Sequence, residues 1–377
     1  MAEAVDILIA GGGPVGAALA LALEGSGHSV VLAAASGADS GDARPIALSY
    51  ASRLILERLN AWRSLPVTAI ETIHVSQQGG FGRTVIRAAD CDLPALGYVA
   101  SYNDLQQCLL ATPCSARLLF GARLSGFDGS RAALQTQNGE LAFAPRLTVF
   151  ADGARIADGR APPAYSKNYR QTAIVAWVRT AQDHRGRAWE RFTPEGPLAL
   201  LPHAARYGLV WTASPERAAQ LRALDEPAFL AELHAAFGDR LGAFLETGER
   251  ASFPLALRYR RDETRPRSLS VGNAAQTLHP VAGQGFNLGL RDAWELARLA
   301  RDARDPGSDD FCVRYRRARA LDRRAGIAFT DSLVSLFSNS DRLLTLGRGA
   351  GLLALDLLPF ARRFVARRMI YGARGMP

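Results

Sequence analysis

Near its start the chain runs from an apolar segment, Val5–Ala10, into Gly11-Gly12-Gly13-Pro14-Val15-Gly16. An Ala/Leu-rich stretch follows to Leu23, then a Gly25-Ser26-Gly27 stop and a second apolar segment, Ser29–Ala33. Strand, glycine turn, helix and strand in that order predict one β-α-β unit, which commits the chain to a parallel sheet with a crossover helix. Gly11, Gly13 and Gly16 fall in G-x-G-x-x-G spacing. The first glycine allows the tight turn, the second lets backbone approach a pyrophosphate, and the third permits close packing of helix on strand. Pro14 and Val15 open the helix, whose free N–H groups and dipole favour an anion. A glycine-rich turn with no ligand is the bland alternative, but it does not account for the complete unit on either side.

The fingerprint ordinarily continues with a carboxylate at the end of the second strand, bonded to ribose hydroxyls. Here that stretch reads Val30-Val31-Leu32-Ala33-Ala34-Ala35, and Asp39 and Asp42 come too late for the expected spacing. Loss of a hydrogen bond to a charged acceptor weakens adenosine binding by roughly 1.5–3 kcal/mol, leaving a dinucleotide site weakened but intact.

Two further segments carry chemistry. Leu147–Ala151 reads as a strand ending in Asp152-Gly153-Ala154-Arg155, which alone also describes an ordinary turn. More specific is Gly272-Asn273-Ala274-Ala275-Gln276-Thr277-Leu278-His279-Pro280-Val281-Ala282-Gly283-Gln284-Gly285-Phe286-Asn287, followed by a helix expected over 288–304. An extended segment that turns through Pro280 and Gly283-Gln284-Gly285 into a helix start leaves N–H groups aimed at whatever lies in front. Reduced flavin is negatively charged at N1 and the C2 oxygen, and a helix N-terminus stabilises that charge.

Residues 170–212 change to short β-branched and aromatic runs, Ala173–Thr180 and Gly208–Thr212 among them, and beyond 311 the chain is helical and arginine-rich. The expected class is α/β: a FAD-binding Rossmann-like domain (1–75, 95–168 and 263–340), an inserted antiparallel β-sheet substrate domain (76–94 and 169–262) and a helical C-terminal segment (341–377). The net charge of +9 comes from scattered arginines, with Lys167 the sole lysine, and no nucleic-acid signature accompanies it. Cys91, Cys108, Cys114 and Cys312 have no metal-ligand spacing and read as small buried hydrophobes. With no run of eighteen apolar residues and no leader-like start, the expectation is a cytoplasmic chain without a membrane span.

The three motifs, in this order and at these separations, resemble those of the class A flavoprotein monooxygenases. Within that class the chain is most similar to the ubiquinone-biosynthesis hydroxylases (2-polyprenyl-6-methoxyphenol hydroxylase-like). The similarity extends through Arg44–Ser49, Leu96–Val99, Trp189–Phe192 with Gly196–Ala199, Gly272–Asp292 and Thr330–Leu333. It implies that Gly11 to Gly16 bind the ADP part of FAD, that Asp152 and Gly153 serve cofactor and reductant, and that Asn273, Pro280, Gly283, Gln284, Gly285, Phe286 and Asn287 hold ribityl chain and flavin. It also implies cofactor contacts from Arg44 and Gln107. Asn273 stands where most of the class has Asp, and Ile156 where serine is common. His279, beside the flavin segment, is a candidate acid or base, or else a backbone-bonding structural residue. Trp177, Trp189, Phe192 and Trp211 either line an apolar substrate cavity or pack the core.

The implied reaction adds one hydroxyl from O2 to the ring of a prenylated phenol through a flavin C4a-hydroperoxide, with NAD(P)H or another donor reducing FAD. The alternatives are a hydroxylase of another aromatic compound and a non-catalytic, weakly FAD-binding partner subunit of a biosynthetic assembly, the last kept open by Ala33-Ala34-Ala35. The C-terminal segment alternates leucines and Phe360 with Arg342, Arg348, Arg362, Arg363, Arg367 and Arg368. Either it packs on the body with a solvated basic face, or it lies peripherally on the anionic inner face of a membrane or on a partner.

Overall fold

Strand Glu3–Ala10 pairs in parallel with Val30–Ala34 on one side and with Gly139–Phe150 on the other, and helix Pro14–Ala22 makes the crossover. In the computed structural model residues 2–37, 41–42, 44–153, 165–260, 265–337 and 341–373 are described. Asp39, Arg155 and Ile156, singled out above, lie outside them. The glycine turn is fixed by crowding: a Cβ on Gly16 would sit 1.9 Å from the Gly11 carbonyl oxygen, so helix and turn meet backbone to backbone.

Among the described residues the first sheet has seven strands. Its order is Arg117–Phe120, Val30–Ala34, Glu3–Ala10, Gly139–Phe150, Ala132–Thr136 and Arg123–Phe127, with Ser268–Ser270 also paired to Gly139–Phe150. Ile7, Leu19, Leu147 and Leu290 are fully buried between this sheet and its helices. The second sheet has nine strands. Tyr165–Thr180, Arg187–Thr193, Gly196–His203, Arg206–Ala213 and Ala251–Tyr259 form its body, and pairing is antiparallel except where Thr72–Gln77 runs parallel to Arg187–Thr193. Its strands Thr72–Gln77 and Tyr165–Thr180 begin four residues ahead of the expected 76 and 169. A small sheet, Pro45–Ser49 with Gly97–Ser101 and Thr68–Ile70, lies between them.

The helix after the third motif spans Gln284–Ala300, starting four residues before the expected Leu288. Ala282 and Gly283 both adopt left-handed backbone (φ 59° and 60°), and the turn they complete lets the helix start at once. Val15 from the first motif packs against Gly272 and Gly289, whose absent side chains leave room for it, so the two ends of the sequence interlock.

A buried ion cluster holds this junction. Asp292 on Gln284–Ala300 takes Arg319 Nε at 2.7 Å and Arg323 Nε at 3.3 Å from helix Asp309–Phe337, and Asp322 takes Arg291 and Arg319, each at 2.8 Å. The other oxygen of Asp292 accepts from Gly272 N at 3.2 Å and Gln276 Nε2 at 2.7 Å. Burial opposes ionisation of both carboxyls, but Arg323 and Arg319 hold Asp292 below the usual carboxylate range, and Arg291 and Arg319 hold Asp322 at about 2.

Two more helices, Arg342–Leu357 and Pro359–Tyr371, meet at 99° and pack over the outer strand Arg83–Arg87. Val85 N donates to Asp356 at 3.1 Å, Gln77 Nε2 donates to Thr345 O at 3.1 Å, and a Cβ on Gly82 would lie 2.2 Å from Gly349 O.

Removing Asp292 by substitution to Ala leaves Arg319 and Arg323 buried without their shared partner, which costs about 3–5 kcal/mol. Urea unfolding of wild type and Asp292→Ala measures it. Because both carboxyl pKa values are depressed in the fold, their contribution is complete above the unfolded value of about 4 and is lost as pH falls towards 2. Wild-type stability therefore declines over that window, and the variant's declines less.

Candidate active site

One continuous cavity of about 1810 Å³ runs between the two sheets. At one end it is walled by Gly11 to Val15 and Ala33 to Ser36, with Arg123, Ser125 and Gln135 opposite. Midway it passes Arg44, Tyr102, Asp152, Gly153 and Asn273, then Pro280, Gly283, Gly285 and Phe286. It ends in an apolar chamber under the second sheet, closed by Leu333 and Phe337 of helix Asp309–Phe337 and by Leu352 and Met369 of the two helices that follow it.

The glycine-turn end takes the strand–turn–helix form that the sequence pattern predicts. Gly13 caps helix Pro14–Ala22 in extended conformation with Pro14 in the first turn, so the first N–H groups open towards the cavity. Gly16 lies behind that surface, against Gly11. At the end of the second strand Ala34 lies against Gly12, where a Cβ on the glycine would come within 2.3 Å of the alanine methyl. Asp42 lines the cavity but binds Arg44, Nη2 to Oδ2 at 2.6 Å, and does not stand in for the missing acid. Arg44 lies over the rings of Tyr102 and Phe253, 5.1 and 4.6 Å from their centroids.

Gln107 does not reach the cavity. In helix Tyr102–Ala111, capped by the Ser101 hydroxyl, Gln107 projects into solvent, while Gln106 faces inward and donates to Gly12 O at 3.2 Å. One residue is about 100° of helical rotation, which is enough to carry the side chain from the cavity face to the solvent face. Tyr102 and Gln106, one turn apart, are the residues sequence reading missed, and the helical period counted from Ser101 was the signal for them.

The Gly283 to Asn287 segment divides its tasks. Gly283, Gly285 and Phe286 line the cavity, and a Cβ on Gly285 would meet no protein atom within 4 Å. Gln284 turns away, donating to Ala282 O and Met369 O at 3.1 and 3.3 Å. Asn287 is a buried clamp: its amide donates to Ala47 O and Gly283 O at 2.9 and 2.7 Å, and its oxygen accepts from Ser49 N and Ser52 Oγ at 2.8 and 2.7 Å. Both act on the loop's shape rather than on a ligand.

His279 is fully buried, and its Nδ1 accepts from Val281 N at 3.1 Å. Burial lowers its pKa to about 4. The ring is therefore neutral at physiological pH with its proton on Nε2; it shapes the loop through Val281 and lines the cavity, where Nε2 is buried without a partner among the described residues. Of the aromatics, Phe192 faces the chamber and stacks on Phe337 at 3.8 Å. Trp189 contributes to the wall, but its indole donates to Tyr207 Oη at 3.2 Å in the core beneath. Trp211 belongs to that same core, because successive side chains on a strand face opposite ways, and Trp177 packs beside His203.

Fold and cavity define a flavoprotein: the family model described as FAD binding domain matches residues 4–329. The chain belongs to this family and, within it, to the ubiquinone hydroxylases. It is 35% identical to the ubiquinone hydroxylase UbiL of Rhodospirillum rubrum over 97% of its own length and 90% of the relative's. It is also 32% identical to the 3-demethoxyubiquinol 3-hydroxylase of Escherichia coli, over 94% and 95% of the two chains. The crystal structure of PqsL, a probable FAD-dependent monooxygenase from Pseudomonas aeruginosa, aligns with TM-score 0.76 at 21% identity over 93% of this chain and 99% of that one, a likeness of fold. The chain is thus a FAD-dependent monooxygenase.

The residues present fit FAD. Bare backbone at Gly11–Gly13 faces one end of the cavity, and the Gly285 position opens into its middle with nothing in front of it. Gly285→Val fills the open cradle with little strain on the fold, so FAD affinity falls at least about tenfold while stability changes by about 1 kcal/mol or less. Flavin absorbance after gel filtration and urea unfolding separate the two. Ala34→Glu places a carboxylate beside Gly12, and flavin titration should show binding tighter by about 1.5–3 kcal/mol. Unchanged affinity would mean that the adenosine ribose lies elsewhere.

Proposed function

We propose that this chain hydroxylates the aromatic ring of a polyprenylated phenol in ubiquinone biosynthesis, with the body around the first sheet binding FAD and the second sheet covering the substrate. The carrying observation is the single cavity that joins the glycine turn to a long apolar chamber: about 1810 Å³ exceeds the roughly 300–1,000 Å³ of an ordinary ligand pocket and accommodates a dinucleotide and a large apolar molecule together. The names of the relatives support the pathway.

Bound FAD, reduced by NAD(P)H or another donor, supplies the activation of O2. The chain's own residues do the rest. N–H groups at the start of Gln284–Ala300 favour negative charge in front of them, and Asn287 keeps that helix start against strand Pro45–Ser49. Ile73, Val75, Ile86, Leu201 and Val210 make the chamber apolar, which excludes water and suits a greasy ring.

For partners, we infer that the C-terminal helices rest on an anionic membrane surface, from which such a substrate is taken. Among the described residues no single helix is long and apolar enough to cross a membrane. Yet Leu343, Leu357, Phe360 and Phe364 are 79%, 68%, 73% and 61% exposed, and Arg363, Arg367 and Arg368 stand beside them in solvent. Arg348 and Arg362 do not serve here: Arg348 caps the carbonyls of Leu336 and Phe337, and Arg362 pairs with Asp90 at 3.2 Å.

Two measurements test these readings. The FAD-loaded protein with reductant, O2 and a phenol bearing a short prenyl chain should yield a product heavier by one oxygen atom. The wild type should co-sediment with anionic vesicles at low salt, and Phe360→Glu with Phe364→Glu should lose about tenfold in partitioning with FAD binding unchanged. Wild type that stays in the supernatant would remove the membrane reading.

A further inference from the structure

The chamber's ceiling is one face of the second sheet, and its residues follow from register. Arg187–Thr193 pairs with Thr72–Gln77 and Gly196–His203, so Val75, Glu190 and Ala199 form one row, continued by Val210 on the inner side and Thr84 on the outer. The rows on either side contribute Ile73, Ile86, Leu201 and Phe192. Among the residues of this sheet that line the cavity, Ile73, Val75, Ile86, Phe192, Leu201 and Val210 are apolar, and the carboxyl of Glu190 and the hydroxyl of Thr84 are the polar groups set among them.

We propose that Glu190 and Thr84 recognise the oxygen substituents of the substrate ring and fix which ring carbon is presented for hydroxylation. The proposal rests on the phenol-hydroxylase reading above. Both side chains line the cavity; no hydrogen bond or ion pair to the Glu190 carboxyl occurs among the described residues, and Thr84 Oγ1 is buried with no partner among them. Glu190 is half-buried and open to the cavity, and the buried Thr84 hydroxyl without a partner is costly unless a ligand completes it. Burial alone pushes the Glu190 carboxyl up to about 7, as expected of a group whose neighbours are hydrocarbon. Two interstrand spacings put the two Cα atoms roughly 10 Å apart, so a ring lying over Val75 has one polar group at each edge. Val281, between His279 and Gly283, packs in one cluster with Phe192 and Val75, which sets this row beside the glycine loop of the FAD site.

Neutral or ionised, Glu190 can take the hydrogen bond of a phenol. When ionised it finds no donor in the corresponding methyl ether, whereas the neutral carboxyl can donate to either oxygen, so the comparison is made above pH 7, where the carboxylate prevails. Equilibrium dialysis of FAD-loaded protein with a phenol carrying one isoprene unit, and with its methyl ether, reads this without turnover. Wild type should bind the phenol about tenfold tighter than the ether. Glu190→Leu should erase that preference while retaining ether affinity and bound FAD, Glu190→Gln should keep part of it because an amide oxygen still accepts, and Thr84→Val should spread the hydroxylation product over more than one ring position. Equal affinities in wild type, or a preference that survives Glu190→Leu, would overturn the assignment. Wild type that binds neither compound would overturn the phenol reading of the chamber, and this assignment with it.

Discussion

The ion cluster centred on Asp292 is the constraint on which the catalytic architecture rests. One carboxylate ties the Gly272 loop, the helix Gln284–Ala300 and the helix Asp309–Phe337 together, and Arg323 extends the tie to Ser270 O at 3.0 Å, the end of the strand that leads into the third motif. A buried pair of this kind adds little net stability compared with well-packed hydrocarbon, because desolvation offsets the Coulomb attraction. Its value is directional. Hydrogen bonds from two arginines and a backbone N–H admit one arrangement of the elements, and Asp322 carries the same network to the C-terminus through Ala373 N at 3.0 Å. The loop that shapes the middle of the cavity is thereby fixed from behind by charges that never face it.

The sequence made some of this legible and hid the rest for identifiable reasons. Gly11 to Gly16 and the strand–helix–strand around them could be read because each glycine answers a local crowding that any β-α-β turn imposes. The start of Gln284–Ala300 could not, since Ala282 takes a left-handed conformation that alanine seldom adopts and the Gly-Gln-Gly pattern imitates a loop. Gln106 and Gln107 are adjacent glutamines on a helix, so an uncertainty of one residue decided which faced the cavity. Asn287 and Gln284 lie within a motif that resembles a binding sequence, yet their bonds go to backbone; motif membership does not separate ligand contacts from the residues that shape a loop. Glu190 was visible only as part of Trp189–Phe192, because its isolation depends on strand register across four other segments.

The cavity also has a division of labour that follows from its walls. Towards the first sheet the lining is backbone and small side chains, which suit a long polar cofactor held by N–H groups. Towards the second sheet it is branched hydrocarbon with two polar groups set in it. The absence of a carboxylate at Ala34 falls on the first half alone. A chain built this way can hold its cofactor less tightly than a fold with the ribose acid while leaving the reacting half of the cavity unaltered.

The contact between strand Arg83–Arg87 and the helix Arg342–Leu357 has a consequence for solubility. That strand is the outer edge of a nine-stranded sheet, and an open edge offers unpaired N–H and C=O groups to any other extended chain. Asp356 occupies Val85 N, and the close Gly82–Gly349 approach lays the helix along the edge, closing it. A chain shortened before this helix would therefore lose more than a chamber wall. It would uncover a template for strand addition beside the already exposed Phe81, and self-association through that edge would compete with folding.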